Sequence, residues 1–138
     1  MKTLQQRISG LDVMLGARLG GLSVGLMPIP GSVPVIQVSI GGREELPIYL
    51  TASDDQTLCI CYLWAESEVL PDKRMELLET LLDLNPSIPL SSFGRVGERY
   101  VLFGALARDA GVEDIALDIA ALSDNALDAL EALSAYLA

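Results

Sequence analysis

An α+β fold is predicted for this chain: helices packed on an antiparallel five-stranded sheet, in the order α-β-β-β-α-β-β-α. Three observations predict it. Apolar runs with period-two alternation fall in two groups, residues 33–65 and 87–106, and within each group they are joined by short polar turns that suit hairpins and not crossover helices. Leucine-rich stretches with a helical period stand before, between and after those groups. The 138 residues, 51% of them hydrophobic, are enough for one core, so the chain is expected to be a single domain, 1–138.

Taken in order, Leu4, Ile8, Leu11, Leu15 and Leu19 lie within roughly 80° of one another on a helical wheel, which predicts an amphipathic helix over 3–19. Gly10 and Gly16 weaken it, and Gly20-Gly21 ends it. Residues 22–32 read as a Pro/Gly connection. Strand 33–40 alternates Ile36, Val38 and Ile40 against Gln37 and Ser39, and strand 46–52 places Leu46, Ile48 and Leu50 on one face. Strand 57–65 is apolar on both faces and therefore central. On it Cys59 and Cys61 point to one face, as do Tyr62 and Trp64 at the same spacing. A second helix, 71–84, starts at Pro71. Its apolar positions form two stripes, Met75-Leu78-Leu82 and Leu77-Leu81-Leu84, together wider than one sheet face covers. The stretch 87–106 reads as a hairpin turning at Arg95–Arg99. In the last helix, 112–137, Ile115, Ile119, Leu122, Ala126, Leu130, Leu133 and Leu137 keep one phase through Ser123-Asp124-Asn125, with the acids on the opposite arc.

The charge excludes several roles. A net charge of −10 repels phosphate backbones and anionic lipid, so neither nucleic acid nor an acidic membrane is an expected partner; a basic protein segment is the complementary one. Residues 109–138 carry Asp109, Glu113, Asp114, Asp118, Asp124, Asp128 and Glu131 and no Lys or Arg. The chain has no His, which removes the commonest general base and transition-metal ligand. No catalytic, cofactor-binding or metal-binding residues are assigned, and the expectation is a protein that is not an enzyme. Residues 19–42 lack charge, but Pro28, Pro30 and Pro34 with four glycines preclude a spanning helix, and Gln5, Gln6 and Asp12 interrupt any signal-peptide core. A cytoplasmic protein with reduced cysteines is expected.

Other motifs read as structural. Residues 16–21 lack phosphate-loop spacing. Ser91-Ser92 read as turn hydroxyls, and Asp54-Asp55, Glu44-Glu45 and Asp114/Asp118 as solvated surface. Arg95 and Arg99 suit the guarding of a strand edge.

The segments Pro89–Gly94, Tyr100–Leu106 and Asp124–Leu127 followed by Ala129–Leu133 resemble the YjfI-type family of small acidic bacterial proteins. Genes of that family often neighbour one for a phage-shock-protein-A-like coiled-coil protein, so the resemblance implies a link to envelope stress and a partner of that kind. The element order also resembles that of class I type III secretion chaperones, which implies a small, dimeric, non-enzymatic binder. The function expected is therefore protein interaction through an acidic surface. A homodimer is expected to bury the helix 71–84 stripe of Leu77, Leu81 and Leu84. The alternative is a small-molecule sensor with a pocket between sheet and helices.

Overall fold

The computed structural model describes residues 2–138. Its sheet has six antiparallel strands, in the order β1-β2-β3-β4-β6-β5: β1 (Val24–Ile29), β2 (Val35–Ile40), β3 (Ile48–Ala52), β4 (Gln56–Ala65), β5 (Ser92–Val96) and β6 (Arg99–Ala107). This corrects the expected five. The added strand is β1, inside the segment read as a Pro/Gly connection, and it pairs with β2 from Val24↔Ile40 to Ile29↔Val35. Pro28 is tolerated there because β1 is the outermost strand, where a missing N–H breaks no second ladder.

The first helix is also two pieces, α1 (Leu4–Arg7) and α2 (Leu11–Arg18). Gly10 adopts φ 85°, a left-handed conformation outside the helical range, and becomes the N-cap of α2. Reciprocal bonds between Thr3 and Gln6 close the start of α1. After a 3₁₀ turn at Pro71–Lys73 comes α3 (Arg74–Leu84). The last helix, α4 (Val112–Ala132), is continuous through Ser123-Asp124-Asn125 as its phase requires, but stops five residues earlier than expected and gives way to a 3₁₀ turn at Ser134–Tyr136.

Sheet register explains the core. Ile36, Leu50, Cys59 and Gly104 form one cross-strand row, and Val38, Ile48, Cys61, Leu102 and Phe93 form the next. These buried residues make the inner face, on which Leu11 and Leu15 of α2 and Ile115, Ile119 and Leu122 of α4 pack. Arg7 ties α1 to this layer by donating to Thr57 Oγ1 at 2.7 Å and to the Ala110 carbonyl at 3.1 Å.

The two stripes of α3 do not divide as expected. Leu77 and Leu81 are buried within the chain, whereas Met75 and Leu82 are 74% and 70% exposed. The C-terminal tail supplies part of the cover. Val69 bridges Leu137, the Leu70 N–H donates to the Tyr136 carbonyl at 2.9 Å, and the hydroxyls of Thr80 and Tyr136 meet at 3.3 Å. The Leu77–Leu81 stripe therefore needs no second subunit, and the exposed stripe is the one through Met75 and Leu82. Among the described residues no helix is long and apolar enough to cross a membrane.

Candidate functional site

Three surfaces have the geometry of recognition sites: the outer face of the sheet, a groove beneath α3, and a cleft where β6 outruns β5. The outer face follows from strand alternation. Tyr49, Ile60 and Phe103 are register partners across β3, β4 and β6, with Leu58 and Tyr62 on the same side of β4. These side chains are half-buried, and among the described residues no helix covers them. Tyr49 and Tyr62 meet edge to face at 5.8 Å, and the Arg99 guanidinium lies 5.1 Å from the Tyr62 ring centre. Arg99 is thus an aromatic-stacked cation on the outer face.

Tyr62 and Trp64 do not share a face. A register shift between them sets Tyr62 opposite Val101 and Trp64 opposite Tyr100, so the bulge turns Trp64 inward. There Trp64 stacks on Tyr100 at 5.7 Å and is fully buried. The Tyr100 hydroxyl donates to Glu66 at 3.1 Å, and Arg74 and Arg95 each reach the same carboxylate oxygen at 2.9 Å. The Arg74 hydrogen bond is the main cause holding the Glu66 carboxyl below its usual range, and Arg95 on edge strand β5 is a paired cation.

The groove beneath α3 is bounded by Leu84, Ile88, Phe93, Ala129 and Leu133 and encloses about 210 Å³. Asn85, which follows α3, accepts from the Phe93 N–H at 2.7 Å. Ser91, read from the sequence as a turn hydroxyl, is buried and accepts from Asn125 Nδ2 at 3.0 Å; Ser92 opens β5.

The acids separate into distinct environments. Asp54 and Asp55 stay exposed in the β3–β4 turn, and Glu45 is exposed between β2 and β3. Glu44 accepts from the Gly42 N–H at 2.8 Å, which keeps its carboxyl below the usual range. Asp124 pairs with Arg43 at 2.8 Å. Asp114 is exposed, but Asp118 is only 5% exposed, which corrects its assignment to solvated surface. It lies on α4 over Gly104 of β6, and its Oδ2 has no hydrogen-bond partner among the described residues. Burial raises its carboxyl to about 6, while a hydrogen bond with the Cys59 thiol pulls the other way. On the helical wheel Asp118 lies about 40° beyond Leu122, at the margin of the apolar stripe and not on the opposite arc, a phase that marks it as a boundary position.

Both thiols sit on the inner face, burial raising Cys61 to about 12 and Cys59 well above the ordinary value, the latter helped by Asp118. They should react slowly with a thiol reagent in the native protein and completely after denaturation. Fast native labelling at either position would contradict this placement.

The comparisons with known proteins bear on the fold and family. A family model described as "Uncharacterized protein conserved in bacteria (DUF2170)" matches residues 17–137. The chain belongs to the DUF2170 family. It is similar to the "Uncharacterized protein YjfI" of Escherichia coli K12 and of Escherichia coli O157:H7, 43% identical to each over 60 residues; the match spans 41% of this chain and 45% of those relatives' length. Among solved structures it is similar to a chain in the "Crystal Structure of the ExsC-ExsE Complex", with a TM-score of 0.55, 14% identity, and coverage of 94% of this chain and 96% of that one. At that identity it is the fold that is shared, the type III secretion chaperone-like architecture implied by the element order, here with six strands.

Proposed function

We propose that this DUF2170 protein is a non-enzymatic, cytoplasmic, chaperone-like interaction protein that holds a basic segment of a protein partner. The observation that carries the reading is the helix-free outer face of the sheet, with Tyr49, Leu58, Ile60, Tyr62 and Phe103 contiguous across three strands. Apolar faces of that breadth on soluble chains mark binding surfaces. The likeness to a chain crystallised as part of the ExsC–ExsE complex supports the same reading. The charge of −10 favours a basic partner over an acidic one. A phage-shock-protein-A-like coiled-coil protein is the partner to test first.

A small-molecule sensor is the second reading: the groove beneath α3, about 210 Å³, is below the roughly 300–1,000 Å³ of sites that enclose small molecules, whereas a cleft between β6 and α4, about 430 Å³, falls within that range. Affinity capture from bacterial lysate separates the two. One polypeptide recovered in stoichiometric amount is expected, and a co-purifying metabolite without protein would overturn the interaction reading.

We also propose that the protein works as a homodimer, through Met75 and Leu82, left exposed on α3 beside the half-buried Leu78. Removing such side chains from water contributes about 1.5–3 kcal/mol each. Light scattering at micromolar concentration should report a dimer, which Leu82→Glu splits and Asp128→Lys leaves intact. A monomeric wild-type chain would end the dimer proposal without touching the partner reading.

A further inference from the structure

The two outermost strands of the sheet are guarded, and a third edge is not. β1 carries Pro28, and β5 is short and carries Arg95. β6, however, pairs with β5 only as far as Ser92↔Phe103, and its last residues, 104–107, run on beside β4 alone. Two features draw the preceding chain away from that edge. Asn125 of α4 donates to the Pro89 carbonyl at 2.9 Å and to Ser91 Oγ at 3.0 Å, and Leu90 takes a left-handed φ of 63°.

The direction of the free groups follows from the hairpin. Val96↔Arg99 flank a two-residue turn, so they form a hydrogen-bonded pair, and alternation then directs the backbone groups of 99, 101 and 103 toward β5. Ala105 and Ala107 continue that series past the end of β5. The Ala107 carbonyl is taken by the Ala110 N–H at 3.0 Å, which leaves the Ala105 N–H and C=O and the Ala107 N–H for a strand partner.

This edge opens into a cleft of about 430 Å³, lined by Leu90, Leu106, Asp109, Asp114, Leu117 and Asp118. Leu90 and Leu117 are 56% and 42% exposed, which is unusual for large apolar side chains. Asp118 is nine-tenths buried, and its Oδ2 is without a partner. A buried carboxylate oxygen lacking a donor calls for a cation or an N–H.

We infer that this cleft is the docking site for an extended, Lys- or Arg-bearing segment of a protein partner, which adds as a strand to β6 beyond β5 and places a cationic side chain on Asp118. The inference rests on the interaction reading above and adds to the outer face a second contact, at the β6 edge, for the same partner. Backbone bonds to Ala105 and Ala107 supply the pairing, Leu90, Leu106 and Leu117 receive apolar side chains, and Asp109, Asp114 and Asp118 select positive charge. An acidic segment meets three carboxylates and is rejected.

A synthetic decapeptide of alternating Lys and Val, titrated into the full-length protein and followed by backbone amide NMR, is the probe. Shifts at Ala105, Leu106 and Ala107 are expected, with none from the Glu-for-Lys counterpart. Asp118→Asn, which keeps the shape of the side chain, should weaken binding by about tenfold or more. Ala105→Pro should abolish it while leaving the β4–β6 ladder whole, because its N–H faces away from β4. No shift, or shifts confined to Glu113, Asp128 and Glu131 on the exposed arc of α4 with undiminished binding by both variants, would overturn the site. The two levels of the proposal fail differently. A polypeptide still captured by the Ala105→Pro chain keeps the interaction reading and removes this site, whereas no polypeptide captured by the wild-type chain removes the reading itself.

Discussion

Gly104→Ala should destabilise the protein strongly for the addition of a single methyl group. A Cβ at this position would lie 2.6 Å from Oδ1 and 2.7 Å from Cγ of Asp118, and closer still to Oδ2. Neither side can yield cheaply. Gly104 is in β6, between β4 and the α4 layer, and Asp118 is a short side chain flanked by the buried Ile115, Ile119 and Leu122. Forcing a methyl into such a contact costs about 1–3 kcal/mol even where the core relaxes, and the upper end is expected here. Urea unfolding should show a lowered midpoint with an unchanged slope. The cause is tested by a double-mutant cycle: Asp118→Ala in the Gly104→Ala background should restore most of the loss, with a coupling of about 1 kcal/mol or more. Additive effects would show that the two residues do not oppose each other.

Asp118→Asn should stabilise the protein at neutral pH and remove a pH dependence. The carboxyl is raised by burial from 3.8 to about 6. Between those values the folded state holds a proton that the unfolded chain has released, so stability falls as pH rises from about 4 to about 6 and stays reduced above. The shift corresponds to about 3 kcal/mol at full ionisation. The amide carries no charge, so the variant should gain stability at pH 7.5, less whatever its unpaired N–H₂ costs, about 1–3 kcal/mol. The stability difference between variant and wild type should widen across that pH window, because Glu44 and Glu66, held below the usual range, contribute equally to both. A difference that stays constant between pH 4 and 6 would show that Asp118 is hydrated in the native state.

The fold was largely legible because its strands obey their periods. Ile36-Val38-Ile40, Ile48-Leu50 and Cys59-Cys61 line the inner face as alternation requires, and α4 runs unbroken along the stripe from Ile115 to Leu130. The departures have local causes. β1 was hidden by Pro28 and Gly25, which argue against a strand except at a sheet margin. The break between α1 and α2 was hidden because Leu4, Ile8, Leu11 and Leu15 keep a helical phase across Gly10. The exposed stripe of α3 lies elsewhere than expected because Leu77 and Leu81 join the core, on which Tyr136 and Leu137 also pack, a long-range arrangement that periodicity cannot report.

The recognition surface was less legible still. Counting acids in 109–138 grouped Asp118 with Glu113 and Asp128, although the fold buries the first and exposes the others. The end of β5 at Ser92 depends on Asn125 holding Pro89 and Ser91, a tertiary contact without a local motif. Gly104 was the available clue. A glycine inside an apolar strand signals that something approaches the backbone closely, and here it is the Asp118 carboxylate.

Hydrogen exchange of the backbone amides, measured on the free protein and on the complex captured from lysate, tests the account most directly. In the free protein the Ala105 and Ala107 amides should exchange readily, as groups on an unpaired edge do, while Leu102 and Gly104, directed at β4, stay protected. Binding of the partner should protect Ala105 and Ala107 and leave the β1 edge unchanged. Protection appearing along β1 or β5 instead, or no change at Ala105 and Ala107 in a stoichiometric complex, would contradict the assignment of the β6 edge as the place where the partner docks.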